Sequence, residues 1–471
     1  MLSKISRGRR HLVGSCVALL ALRSTGTSST APQHVTSNAA ASPLNVYDIN
    51  IDLTAMTHII MTPEIFGFAT AAMMNDGCRI CTNQKFQQQF AKLDPTLLRC
   101  NSSAGHGGAT SENYWLCSIF PNSSPTNPQW KWIDALLDNL AKFMPNGRLV
   151  LDIGYHEDQN ISPAALASMA QQLARHCIAK GVECFYWEVW NEANEPPGNI
   201  SVQKYNAWFN AVADALHLVN PAYKIGGPVS SWSLAFGPEW AEACGARAGF
   251  IDFHGYPYSD SSATDYQMFT TKRSANDMTT ARSAVRGTRA ANLPLGYLEW
   301  SSVFSEPGDP RMHQTHGAIF AATYLANAAK ANQGLEMAGI WEVYGDGNYG
   351  VIADTSFQIF PVGWYLGYAG RNVAGAVVNS DATVSRSLDV LATVNGDKFA
   401  VQIVNSGGKS LQVRSIGIKA ANAVGPALTR WEISPSHRDP AISIISLDSL
   451  ASGNGITIPA LSVVIFTGSC F

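Results

Sequence analysis

"CFYWEVWNEANEPP" (residues 184–197) opens as a strand and ends in a cluster of polar groups. Aromatic and β-branched residues fill its first half, so Cys184–Trp190 is predicted to be a β-strand. Asn191, Glu192, Asn194 and Glu195 follow, and Pro196 and Pro197 stop the run. A buried strand that delivers carboxylates at its C-terminal end is the layout of a parallel α/β barrel, where chemistry sits on that rim.

Similar runs recur on both sides. "EIFGFATA" from 64, "LLRCN" from 97, "GRLVLDIGYH" from 147, "YKIGGPV" from 223, "GFIDFHGYP" from 249, "PLGYLEWS" from 294 and "MAGIWEVY" from 337 bring the count of predicted strands to eight. Amphipathic stretches separate them. "SPAALASMAQQLARHCIAK" (162–180) begins with a Ser-Pro start signal, and "YNAWFNAVADALHLVN" (205–220) carries an apolar face. Alternation of this kind predicts a (β/α)8 TIM barrel over 45–375. Past 376 the pattern becomes "SLDVLATVNGDKFAVQIVNSGG", "KSLQVRSIGI" and "ITIPALSVVIFTG", short alternating strands with Gly, Asn and Asp turns. Residues 376–471 are therefore expected to form an all-β sandwich domain. The early strand "NVYDINIDL" (45–53) is a candidate to join it, so that 45–60 would belong to the sandwich.

The chain has 471 residues, 46% hydrophobic and 14% charged, which is enough apolar material for a large core and fewer charges than the ~25% of an average soluble protein. Its N-terminus reads as an export signal over 1–24, with Lys4, Arg7, Arg9 and Arg10 ahead of "HLVGSCVALLAL". A Ser/Thr/Ala-rich linker over 25–44 follows. Secretion or delivery to a periplasm is the expectation, by a general or a twin-arginine route. Removing the signal takes five positive charges and no negative ones, moving the formal charge from −3 to about −8. Nothing suggests nucleic-acid binding, which would call for a basic patch, and no later stretch suits a membrane span. Eight cysteines remain after the signal, and an even number in an exported chain predicts disulfides. Cys78-x-x-Cys81 lacks a second ligand pair, so no metal and no organic cofactor are expected.

Other motifs lack their context. "GDGNYG" (345–350) fits G-x-G-x-x-G, but no helix pattern follows to receive a pyrophosphate. No G-x-S-x-G elbow and no H-E-x-x-H pair exists in the chain.

Glu192 at the fourth predicted strand end and Glu299 near the seventh supply two carboxylates to one rim. That pair suits glycosidic cleavage, which needs an acid on one side of the anomeric carbon and a carboxylate on the other. "WEVWNEAN" (187–194) resembles the acid/base signature of clan A glycoside hydrolases, most closely family 39, whose fourth strand ends in a W-N-E-P-N motif. On that resemblance Glu192 is the acid/base and Asn191 binds a sugar 2-hydroxyl. Ala193 stands in place of the usual proline, which leaves "NEP" (194–196) and Glu195 as a rival register. "FHGYP" (253–257) is similar to the sixth strand end and points to His254 and Tyr256. "YLEWSS" (297–302) resembles the nucleophile strand, making Glu299 the nucleophile with Tyr256 bonded to it. "GIWEVY" (339–344) resembles the eighth, with Trp341 as the floor of the −1 subsite. His156 and Trp300 are further substrate-binding candidates.

The resemblance implies a retaining, β-xylosidase-like hydrolase acting on a carbohydrate of plant or microbial origin. Other clan A activities, of endoglycanase, arabinofuranosidase or glucuronidase type, share the layout, and a non-catalytic carbohydrate-binding barrel is the alternative of a different class.

Overall fold

The computed structural model describes residues 46–470 apart from 102–114, 155–159, 196–199, 232–235, 346, 383–386 and 452–454. The expected signal and linker over 1–44 and the candidate His156 lie outside the described residues.

After a long first strand, β1 (Val46–Met61), eight strands close a barrel in sequence order. They are β2 (Gly67–Thr70), β3 (Leu97–Cys100), β4 (Arg148–Ile153), β5 (Tyr186–Val189), β6 (Lys224–Ser230), β7 (Phe250–Gly255), β8 (Leu295–Trp300) and β9 (Leu335–Trp341). Each coincides with one of the eight predicted runs, and all pair in parallel. Their near-continuous apolar sequences follow from burial on both faces. Leu97, Val150, Tyr186, Phe250, Leu298 and Met337 fill the barrel interior. Phe250 fits because Gly226 faces it: a Cβ there would lie 2.1 Å from the ring.

Helices wrap the outside. Pro163–Ala179 starts where Ser162 accepts from the Ala165 N–H, and Val202–Val219 starts where Ser201 accepts from Lys204. Each cap satisfies one orphan donor of the first turn.

One irregularity matters for the site. Along β8, Tyr297 bonds outward to Asp277 and Tyr324, Leu298 lies in the barrel interior, and Trp300 packs outward on Phe320 and Tyr324. The ladders to β7 and β9 both slip across this stretch, the mark of a β-bulge. The extra residue lets Leu298 and Glu299 face inward in succession.

The second unit of structure is a nine-stranded sheet built from β1 and β10 (Gly375–Ala382), β11 (Leu388–Asn395), β12 (Lys398–Asn405), β13 (Leu411–Lys419), β14 (Ala427–Ser434), β15 (His437–Ser446), β16 (Ile456–Ile458) and β17 (Ser462–Ser469). β1 pairs antiparallel with β10 and parallel with β13. Strand alternation divides its residues between two cores. On β17, Val464 and Phe466 join the sheet's own core, while Val463 and Ile465 join the barrel's. Trp431 of β14 stacks on Tyr368 of the helix Pro361–Asn372, at 4.7 Å and 12° between rings.

The expectation of a disulfide is met by one pair. Cys78 and Cys81 are bonded, whereas Cys100, Cys177, Cys184 and Cys244 are free and buried, Cys117 is buried, and Cys470 is free and half-buried. The buried thiols pack as small apolar side chains within the barrel's hydrophobic cluster. Cys184 in addition donates weakly to the carbonyls of Leu149 and Tyr186.

Because Trp431 is fully buried between sheet and barrel, Trp431→Ala is expected to destabilise the protein by about 3–5 kcal/mol. Chemical denaturation followed by circular dichroism measures the loss.

Candidate active site

At the end of β5 the backbone turns sharply. Trp190 and Glu192 both adopt left-handed conformations, with φ of 67° and 46°, at a cost of roughly 1–3 kcal/mol each for side chains with a Cβ. Packing and hydrogen bonds hold them there. Trp190 stacks on Trp208 at 4.4 Å, its N–H donates to the Ile153 carbonyl, and the Glu192 N–H donates to the Val229 carbonyl. This turn hides the Trp190 ring in the barrel wall and delivers Asn191 and Glu192 to the rim.

Beneath them lies Arg99 of β3, fully buried. Its Nε donates to Glu188 Oε2 at 2.7 Å, its Nη1 to Glu299 Oε2 at 2.9 Å, and its Nη2 to Asn191 Oδ1 at 2.7 Å. Burial alone works against its charge, yet the carboxylates of Glu188, Glu299, Asp252 and Asp152 outweigh that and raise its pKa above the ordinary arginine range. Sequence reading missed this residue. The signal available was a lone arginine inside the apolar run "LLRCN", because a cation in a strand buried on both faces requires acidic partners.

Glu299, 6% exposed, receives a second hydrogen bond from Tyr256, whose hydroxyl donates to Oε1 at 2.7 Å. Burial, and then the charge of Glu299, pushes the Tyr256 phenol well above its usual range, so it remains a donor. His254 lies between the two glutamates, with Nδ1 2.9 Å from Glu192 Oε1 and 3.6 Å from Glu299 Oε2. Burial pushes its pKa down to about 4, so the ring is neutral near pH 7 and holds one proton. An oxygen of Glu192, a nitrogen of His254 and an oxygen of Glu299 all lie within 4.8 Å of one another.

That trio has the spacing of metal ligands, but both Glu299 oxygens already accept from Arg99 and Tyr256. A guanidinium at 2.9 Å also opposes a second cation. The donor set suits acid–base chemistry.

Of the other candidates, Trp341 ends β9 in a small cluster with Ala69, Ala71, Tyr256 and Tyr349, beside the Tyr256 that touches Glu299. Trp300 is corrected: it is fully buried on the outer side of β8 against Phe320 and Tyr324, one residue past Glu299 and on the opposite face of the strand. Glu188 is the buried partner of Arg99. Glu195 accepts from Ser231 at 2.5 Å and Asn194 at 2.9 Å. Glu342 accepts from the Ala71 N–H at 3.3 Å and so braces the end of β9 against β2.

Comparisons with known proteins agree with this architecture. The sequence pattern of the family described as "Glycosyl hydrolases family 39" matches residues 156–349. Among solved structures, the chain is similar to a family 39 glycoside hydrolase from Xanthomonas axonopodis pv. citri, with 16% identity and a TM-score of 0.61 over 93% of this chain and 100% of that one. It is also similar to a monomeric β-xylosidase from Caulobacter crescentus CB15, with 15% identity and a TM-score of 0.63 over 90% and 99% of the two chains. A thermostable family 51 α-L-arabinofuranosidase from Thermotoga petrophila RKU-1 has 14% identity and a TM-score of 0.66 over 89% and 99%. No curated protein sequence matches significantly.

Removing Arg99 would strand Glu188 and Glu299 as buried charges. Arg99→Ala is therefore expected to cost about 3–5 kcal/mol near pH 7. Urea titration measures the loss.

Proposed function

We propose that this chain, a glycoside hydrolase, cleaves its substrate by double displacement with retention of anomeric configuration, Glu299 acting as nucleophile and Glu192 as acid/base. The observation that carries the reading is the separation of at most 4.8 Å between an oxygen of Glu192 and one of Glu299 across the barrel rim. Retaining enzymes hold their carboxyl groups about 5–5.5 Å apart, whereas inverting ones leave about 6.5–9.5 Å for a water.

In the first step a Glu299 oxygen attacks the anomeric carbon while Glu192 gives its proton to the glycosidic oxygen, and the aglycone departs. Glu192, now a carboxylate, takes a proton from water. The water oxygen attacks the same carbon, the glycosyl ester breaks, and Glu299 is restored. Arg99 and Tyr256 orient the Glu299 carboxylate through its two oxygens. Arg99 also fixes Asn191: a guanidinium only donates, so Asn191 Oδ1 must face it and the amide N–H groups point away. Those donors are available to a sugar 2-hydroxyl. Trp341 offers an apolar face beneath the sugar.

The substrate class is a plant or microbial polysaccharide or its oligosaccharides, with β-xylosides as first choice. The barrel, from β2 to residue 375, carries the catalysis, with β1 and 376–471 as its accessory domain. Export to a periplasm or the cell exterior fits the N-terminal charge and hydropathy pattern, and no helix among the described residues is long and apolar enough to cross a membrane.

On a panel of aryl glycosides, Glu299→Gln is expected to abolish turnover with unchanged circular dichroism; full activity in that variant rejects the nucleophile assignment. The wild-type product, followed by proton NMR in the first minutes, should carry the anomeric configuration of the substrate. Glu192→Ala is expected to lose about 10²–10⁴ in rate on substrates with poor leaving groups. Activated leaving groups or added azide should restore much of it, and rescue of Glu195→Ala instead would move the role to that residue.

A further inference from the structure

Below the two glutamates the barrel holds more acid than its one buried cation balances. Among the described residues Arg99 is the only cationic side chain in the fully buried set, and it faces Glu188, Glu299, Asp252 and Asp152. Asp252 belongs to β7, two residues before His254, and does not belong to the reacting pair. Its Oδ1 accepts from the Leu298 N–H at 3.2 Å, next to the bulge that turns Glu299 inward. Its Oδ2 lies 3.8 Å from His254 Nε2 and has no hydrogen-bond partner among the described residues. Glu188 is similar: Oε2 accepts from Arg99, while Oε1 has no partner. The two side chains lie within hydrogen-bonding reach of each other.

Two carboxyl groups with one bare oxygen each, both at zero exposure, are satisfied together by a single proton placed between them. We infer that Asp252 is a positioning residue that retains a proton, shared between its Oδ2 and Glu188 Oε1. Arg99 then keeps Glu188 and Glu299 as its two hydrogen-bonded carboxylates, and its Nη1 stays on the proposed nucleophile. An ionised Asp252 would add a further anion and compete for the same guanidinium. The inference concerns the site of the proposed reaction and deepens that reading, but its first test needs no substrate.

Burial, followed by the charge of Glu188, pushes the Asp252 carboxyl well above the ordinary carboxylate range. The other titratable groups facing it are His254, which is neutral near pH 7, Glu299 and Asp152. A carboxyl that is protonated in the fold and ionised in the unfolded chain releases a proton on unfolding. It therefore weakens the fold increasingly as pH rises above about 4, until the folded group itself ionises. Asn in its place mimics the protonated form and removes that slope.

The experiment compares melting temperatures of the wild type and Asp252→Asn between pH 4 and pH 8. The expected result is a difference near zero at pH 4 that grows by several degrees in favour of Asn toward pH 8. A difference that favours Asp at neutral pH, or that does not change with pH, overturns the inference. Asp252→Ala, which removes the same proton without requiring an amide to fit, should show the same sign of slope if Asn is not tolerated. In a second arm, Asp252→Asn should keep kcat/KM within a few-fold with the acid limb of its pH profile unmoved, because Asn can still donate to Glu188. A hundredfold loss in a folded variant rejects the assignment. Inactivity of the wild type on every glycoside would count against the proposed function and leave the melting result standing.

Discussion

Three hydrogen bonds from one guanidinium organise the interior of this barrel. Arg99 reaches Glu188 on β5, Asn191 at the end of β5 and Glu299 on β8. Its long side chain ties strands that lie far apart in sequence to a single point. The planar fork also dictates directions: each acceptor must present an oxygen, which orients the Asn191 amide and one edge of the Glu299 carboxylate before any ligand arrives. Placing that cation in the barrel is favourable only with the carboxylates around it, so its surroundings and its function are the same set of residues.

Backbone departures from regularity complete the geometry. A plain β8 would alternate its side chains, and either Leu298 or Glu299 would face the helices. The bulge allows the first to fill the barrel and the second to reach Arg99. At the end of β5, left-handed residues at 190 and 192 perform the corresponding service. Both distortions occur where the strands leave the packed core, so well-packed neighbours such as Trp208 and Tyr324 hold them in place.

Much of this was legible in the sequence. The eight strands stood out because burial on both faces demands apolar runs, and Glu192 and Glu299 stood out because each follows such a run. Trp300 was misread because sequence does not reveal the bulge, past which Trp300 turns outward onto Phe320 and Tyr324. Arg99 escaped because a single charge in a short strand has no periodic signature, and its meaning depends on partners 89 and 200 positions away. Asp252 has the same difficulty. The cysteines foretold a disulfide but not its partners, since an even count says nothing about which thiols face one another.

The order of strands in the nine-stranded sheet bears on how the chain acquires its shape. β1 is flanked by β10 and β13, and its Thr57 hydroxyl reaches a carbonyl 320 positions downstream. The whole barrel is thus spliced between two adjacent strands. While the polypeptide emerges from a ribosome or a translocon, β1 must wait, both edges bare, until everything through the last barrel helix has been made. Closure of the sheet therefore depends on contacts of very high sequence separation, the kind whose loop entropy slows folding.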